Sequence, residues 1–351
     1  MTTTISAITA DNLGEYNQFI SLQDNATFVD SFAWREVVEQ IYGLRHYWYL
    51  AYEDGKVSGS VALTLAKHPV FGTYLSTAPF ASYGGFHASS TSAASCLLAK
   101  AEELCHERKA KYIVLRHLNE FDSFSLPGGW HNDNSYAIYH IPLESDPDHF
   151  FKNHLRKRVR KQLIKSEGYR FYIKFGKHDL LPDFWHVISR SMRELGSPYH
   201  SFAYLDTLLT MFQESANIAV LYDDNNEPAC CRLFIKNKKR AYSIHGNSLL
   251  KYRHLNAGDY FFWLFIQECY NRGLDLIDLG RSLIGSGNDM WKMKWRPECR
   301  PLSYWYYLPK GQQLPQLNQN NPKYRVLIKT WQNLPLFLLQ IIGPRLISGI
   351  L

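Results

Sequence analysis

The feature that most constrains this chain is an order of elements that occurs twice. "YWYLAYEDGKVSGSVALTLAKH" alternates apolar and polar residues on both sides of Asp54-Gly55, the dipeptide of a tight β-hairpin. A run at helical spacing, "SAASCLLAKAEELCHERKA", and a strand-like "KYIVLRHL" follow it. The series returns as "NIAVLYDDNNEPACCRLFIKN", "NAGDYFFWLFIQECYNRG" and "LDLIDLG", with Tyr52 and Tyr222 at matching places 170 residues apart. Helical patterns precede each series: "SFAWREVVEQIYG", with Ser31 placed to cap it, and later "LLPDFWHVISRSMRELG" with "FAYLDTLLTMFQES". A repeated supersecondary unit predicts two similar α/β (α+β) domains, each a mixed, mostly antiparallel sheet flanked by helices. A length of 351 residues also suits two cores better than one. The expected division is 1–147, 148–312 and a helical, amphipathic tail over 313–351.

Composition narrows the class. Hydrophobic residues at 46% and charged residues at 20% describe a globular protein. No apolar stretch reaches the roughly 20 residues of a spanning helix. The closest, Leu334 to Leu351, is broken by Pro335, Pro344 and Arg345. The amino end has no basic segment followed by an apolar run, so no secretory signal is expected. The six cysteines show no C-x-x-C and no paired metal-ligand spacing, and the 14 histidines are scattered. Free thiols in a reducing cytoplasm and no metal are the expectation. There is no G-x-S-x-G, H-E-x-x-H or Walker loop to suggest a hydrolase, zinc protease or ATP-driven ligase.

Charge is concentrated. The chain carries a net +7, and Lys152 to Lys165 holds seven cations and no acid. Leu155, Val159 and Leu163 recur at helical spacing, which predicts an amphipathic helix with Arg156, Arg158, Arg160 and Lys161 over its other faces. Such a face is either simply solvated or a clamp for phosphate or pyrophosphate, where Arg forks pair bidentately. No zinc finger, basic zipper or RNP-type motif accompanies it, so sequence-specific DNA binding is not expected. After Glu298 no acid follows, and Trp331 separates the basic and apolar parts of "PKYRVLIKTWQNLPLFLLQIIG". That composition suits a helix at an anionic membrane interface or one docked on its own domain.

Three segments resemble a known family. "HLRKRVRKQLIKSE", "RELGSPYHSFAYLDTL" and "IDLGRSLIGSGNDMWKMKWRPECRPLSYWYYL" are similar to the second half of FemAB-like proteins, which are GNAT-fold acyl and aminoacyltransferases. Together they span essentially Phe150 to Leu308. The tail "NPKYRVLIKTWQNLPLFLLQIIGP" is similar to that of the branch accompanying exosortase/PEP-CTERM exopolysaccharide gene clusters. The resemblance implies two tandem GNAT-like domains, each with a sheet that splays between two strands and admits an acyl donor. It implies transfer of an activated acyl group from acyl-CoA or aminoacyl-tRNA to an amine or hydroxyl. The acceptor would be an anionic small molecule or a carrier-linked substrate, met in the cytoplasm at the inner face of the membrane. No heptad-patterned arm like that with which some relatives embrace tRNA is evident, which counts against tRNA as donor. An acetyl-CoA-dependent N-acetyltransferase is the alternative within this chemistry. A GNAT-like adaptor binding anionic membrane or nucleic acid is the alternative outside it.

The resemblance also assigns roles. Lys292 falls on the family's F-K position near the transfer site, and a fixed ammonium suits a developing oxyanion. Asp278, at a strand end, delivers Arg281 and Ser282 to a loop with Gly285 and Gly287, where backbone can approach a ligand closely. Arg281 could hold a carboxylate or phosphate. His245, Tyr242 and Asp278 are candidates to accept a proton, with structural roles open to each. Arg253, Asn256 and Gly258 keep the spacing of the GNAT R/Q-x-x-G-x-G/A pyrophosphate loop, with Asn256 in place of its first glycine. Tyr83, Gly84 and Gly85 resemble a Gly-Gly segment of the family and read as an acceptor pocket or a tight bulge.

Overall fold

The computed structural model describes residues 2–68, 71–118, 125–144, 146–312 and 322–350, with backbone alone for 322–325 and 327. The expected start of the tail at 313, and the side chains of Lys323 and Arg325, lie outside the described residues. The chain forms two compact units. Unit 1 comprises Met1–Ala137, Pro301–Leu317 and Ser348–Leu351; unit 2 comprises Ile138–Arg300 and Asn318–Ile347.

Unit 1 begins with β1 (Thr3–Ala7), α1 (Leu13–Ser21) and α2 (Phe32–Tyr42). Ser31 Oγ accepts from the Trp34 N–H at 3.3 Å, and Gly43 ends α2 in the left-handed region at φ +62°, so both ends of the helix are as expected. The meander β2 (Arg45–Glu53), β3 (Lys56–His68) and β4 (Gly72–Ser76) follows, then β5 (Phe86–Ala88), α3 (Thr91–Glu107), β6 (Ile113–Leu118) and β7 (Trp130–Pro142). Asp54 and Gly55 have φ of +47° and +76°, as a two-residue type I′ turn requires. The apolar face of α3, with Ala94, Leu97, Leu98 and Ala101, packs on Val61, Leu63, Leu75, Ile113 and Leu115 of the sheet.

Unit 2 takes the last residues of β7 and then α4 (Pro147–His149), a π-turn over Phe150–His154, α5 (Lys157–Glu167) and β8 (Tyr172–Gly176). The basic helix thus begins later than its periodicity predicts: Leu155 is buried but precedes α5, whose buried residues are Val159, Leu163 and Ser166. Next come α6 (Leu181–Leu195), α7 (Phe202–Phe212), β9 (Ala216–Tyr222), β10 (Pro228–Asn237), β11 (Arg240–Ser248), α8 (Ala257–Asn271), β12 (Leu276–Leu283) and α9 (Gly287–Met293). The chain continues through β13 (Glu298–Tyr307), α10 (Pro322–Asn333) and α11 (Leu336–Ile347). Residues 301–312, expected with the second domain, fall in unit 1, where Leu302–Tyr307 of β13 pairs antiparallel with β6.

The two units repeat one plan: an antiparallel meander, a helix, and a strand parallel to the last of the meander. In both, the parallel pairing is short. Leu75 and Ser76 of β4 pair with Ile113 and Val114 of β6; Arg240–Tyr242 of β11 pairs with Leu276–Asp278 of β12. Beyond those residues β11 and β12 part, and β11 also carries a bulge opposite Leu233/Phe234.

The tail helices dock on α6. Arg193 Nε donates to Gln332 O at 3.1 Å, Gln332 Nε2 donates to Glu194 O at 2.8 Å, and Leu339 is buried. Phe337, Ile341, Ile342 and Leu346 of α11 remain exposed. Among the described residues no helix is long and apolar enough to cross a membrane.

Candidate active site

β12 runs on to Leu283, past the strand end expected at Asp278, so Arg281 and Ser282 lie in the strand, and its second half together with the loop after it holds one lysine. Gly280 adopts φ +69°, a conformation that favours glycine, and its N–H donates to Asp278 Oδ1 at 2.6 Å. Ser286 Oγ caps α9 by accepting the Asp289 N–H. Asp289 in turn accepts the Gly285 N–H at 2.8 Å and the Tyr139 hydroxyl at 2.7 Å. Pinned in this way, α9 turns Lys292 inward, where it is only 3% exposed. Its Nζ donates to Gly280 O and Arg281 O, both at 2.9 Å, and lies 4.9 Å from the centroid of the Tyr139 ring. Burial brings the Lys292 pKa from 10.5 down to about 7; Asp278 and Asp289 oppose that shift, while the Arg232 and Arg281 charges add to it. A lysine so placed is poised near neutrality, as groups in active sites commonly are.

Most of the second-unit candidates gather around this loop. Asp278 is buried, 3.3 Å from His140 Nε2, and pairs in register with Tyr242 at the last residue before β11 and β12 part. Ser282 is buried and accepts from Asn288 Nδ2 at 2.9 Å; Arg281 is half-buried and lends its carbonyl to Lys292. Leu283, Ile284, Met290 and Met293 give the loop an exposed apolar rim.

His245 belongs to a different cluster. Its ring lies 5.4, 5.2 and 5.8 Å from those of Tyr199, His200 and Tyr204, with Tyr204 Oη 3.5 Å from Nε2. Burial pushes its pKa down to about 3, which leaves a weak base at neutral pH. Tyr83, Gly84 and Gly85 lie in unit 1, in the segment between β4 and β5. The Gly85 N–H donates to Asp30 Oδ1 at 2.8 Å, Tyr83 is buried, and a Cβ on Gly84 would stand 2.9 Å from Thr27 Oγ1.

The anion-binding candidates divide as well. Arg156 and Arg158 are exposed and make no ion pair among the described residues, whereas Arg160 is half-buried and donates to Lys152 O. A cleft of about 420 Å³ opens beside this stretch, lined by His149, Phe150, Asn153, His154, Arg296 and Glu298 among others. Arg253 is exposed ahead of α8, and Asn256 starts that helix in the left-handed region at φ +54°, which Asn tolerates better than most residues. Gly258 faces Ser248, 3.4 Å from where its Cβ would be. The first turn of α8 also carries Asp259, a buried carboxylate that accepts from Trp291 Nε1 at 2.8 Å and Lys294 Nζ at 2.7 Å. An acid there already occupies the positive end of the helix.

Sequence reasoning missed Tyr139, His140, Asp289 and Arg232. Only Arg232 left a signal, as a lone charge inside the apolar "ACCRLFI". The others touch the site from positions up to 150 residues away in the chain.

Residues 150–293 match the family model of the acetyltransferase (GNAT) domain. No curated protein matches the chain. Among solved structures, FemX is similar over 93% of this chain and 100% of its own at 14% identity and a TM-score of 0.63. L-PGS from Bacillus licheniformis is similar over 95% and 96% at 13% identity and a TM-score of 0.57. A tandem GNAT protein from the clavulanic acid biosynthesis pathway is similar over 88% and 100% at 12% identity and a TM-score of 0.57. The chain thus has the fold of tandem GNAT proteins, and its residues 150–293 are similar to the acetyltransferase (GNAT) domain.

Proposed function

We propose that the chain is an acyltransferase of the FemAB type that moves an activated acyl or aminoacyl group to an amine or hydroxyl acceptor in exopolysaccharide or cell-envelope biogenesis. The observation that carries the reading is Lys292, buried and fixed by two carbonyls at the opening of a GNAT-domain sheet. As the acceptor attacks the acyl carbon, a bond forms to it, the carbonyl oxygen gains negative charge, and the donor's leaving group then departs with the electron pair and takes up the proton that the acceptor sheds. Lys292 keeps one donor beyond the two spent on Gly280 O and Arg281 O, and its protonated form steadies that oxygen. Asp278 acts as a positioning residue, through its bond to the Gly280 N–H that shapes the turn.

The unpaired Arg156 and Arg158 are the site assigned to the donor's or carrier's anion. The exposed apolar face of α11, with no acid after Glu298, supports peripheral contact with an anionic membrane.

The test is Lys292→Ala. Transfer, assayed with labelled acyl-CoAs and charged tRNA against amine acceptors, should fall about 10²–10³-fold in kcat in a variant that still melts cooperatively. Wild-type activity should decline as pH rises through about 7, because the ammonium is the working form. Full activity in Lys292→Ala sinks the assignment. Activity that climbs through that pH makes Lys292 a base instead.

A further inference from the structure

Arg232 sits in the middle of β10 with its side chain toward α8. The guanidinium carbon lies 4.9, 5.2 and 6.0 Å from the ring centroids of Phe262, Phe265 and Phe261. Nη1 donates to Ser243 Oγ, while Nε is enclosed without a hydrogen-bond partner. The residue is 8% exposed and makes no ion pair among the described residues. Three thiols stand near it, those of Cys230, Cys231 and Cys269, and burial raises the pKa of each, that of Cys231 to about 12. They are neutral at physiological pH and cannot balance it. Burial lowers Arg232 itself only to about 10, so it stays charged.

A buried charge is normally paired, and aromatic faces return only part of the hydration it has lost. Among the described residues this fork-shaped cation therefore has no counter-anion. Its position bears on what it can meet. Ser243 is the first residue of β11 past the last pairing with β12, so the guanidinium is tethered where the two strands part. Phe262, beneath it, also contacts Trp291 and Trp295, which flank Lys292 in the chain.

We propose that Arg232 is the anion anchor of the ligand that enters between β11 and β12, taking an oxyanion group of the bound substrate, carboxylate or phosphate, on its free edge. This rests on the reading of that opening as the transfer site and specifies the charge of what enters it. Arg232 is here a binding residue that recognises a planar or tetrahedral oxyanion by its fork.

The experiment is a calorimetric and thermal-shift titration of the full chain with acetate and with inorganic phosphate, ionic strength being held constant with chloride. Wild type should respond saturably to at least one. A response to acetate alone assigns a carboxylate ligand, and one to phosphate alone a phosphoryl group. Arg232→Met should lose at least tenfold in affinity without melting earlier in the absence of anion, because the buried unpaired charge is gone. In an Arg156→Gln/Arg158→Gln/Arg160→Gln background the loss on Arg232→Met should persist, which separates the site from the basic helix. Intact transfer in Lys292→Ala overturns only the role of Lys292 and leaves the anchor to the Arg232 variants. Should Arg232→Met fail to fold, Arg232→Lys, which keeps charge but loses the fork, should bind the anion more weakly. No saturable response in wild type, or an unchanged one in Arg232→Met, overturns the anchor.

Discussion

Both units part their sheets after a short parallel pairing, yet they satisfy the parting strands in different ways. In unit 1 the segment after β4 does it, through main chain and the Thr77 hydroxyl. The Thr77 N–H donates to Val114 O at 3.1 Å, the Arg116 N–H to Thr77 Oγ1 at 2.9 Å, and the Gly84 N–H to Arg116 O at 3.1 Å. The segment between β4 and β5 is thereby stitched to β6. Asp30 pins it from beneath, accepting the Gly85 and Thr27 N–H groups and meeting His87 Nε2 at 2.9 Å. In unit 2 a side chain does it: Lys292 takes the carbonyls of Gly280 and Arg281. Backbone groups removed from water need partners in either case. Hydrogen-bonded chain closes the first split, whereas an ammonium leaves a titratable charge at the second. The two units thus share one frame and differ in what fills its split.

Four substitutions probe that contrast, from the largest expected effect to the smallest. Asp30→Ala strips a buried carboxylate from two N–H groups and a histidine, and should cost about 3–5 kcal/mol in chemical denaturation of unit 1. Burial alone would raise the Asp30 pKa, but His87 and the N–H bonds outweigh it and hold the pKa below 3.8. Its stabilisation is therefore present above the unfolded value and lost as pH falls through the folded one, so wild type and variant should converge in acid. A variant as stable as wild type at neutral pH would remove this pin from the comparison.

Gly84→Ala comes next. At φ +126°, with Thr27 Oγ1 2.9 Å and Val29 Cβ 3.2 Å from the new methyl, it should cost about 2 kcal/mol or more. Lys292→Met tests the other split through pH. The folded pKa of about 7 lies below the unfolded 10.5, so between those values the unfolded chain binds more protons. Stability of wild type relative to Lys292→Met should rise across that window, by at most about 1.4 kcal/mol per pH unit; a flat difference between them would show an unperturbed lysine. The smallest effect belongs to Gly285→Ala. Its φ is +81° but no atom lies within 4 Å of the added methyl, so the loss should be about 1 kcal/mol, by the same melts. A cost equal to that of Gly84→Ala would mean that the two openings are equally packed.

Much of this was legible without coordinates because it is local. The Asp54-Gly55 turn, the Ser31 cap and the helix of each repeat follow from a few adjacent side chains, and so does the Gly-rich loop carrying Lys292. Even the partial miss at the basic helix is local in origin: apolar spacing marks which residues face inward, and Leu155 does, but the π-turn before it delays the helix to Lys157.

What the sequence by itself determined is therefore the inventory: two copies of one α/β plan, a basic surface helix, and a lysine beside a Gly-rich loop. Tertiary structure alone decided what those parts are worth. It put Leu302–Tyr307 into unit 1, set Asp289 against Tyr139, drew Lys292 out of water, and left Arg232 without a counter-anion among the described residues. Those outcomes depend on which distant groups meet and on how much water remains between them. Charge and pKa respond to that environment, and no window of neighbouring residues contains it.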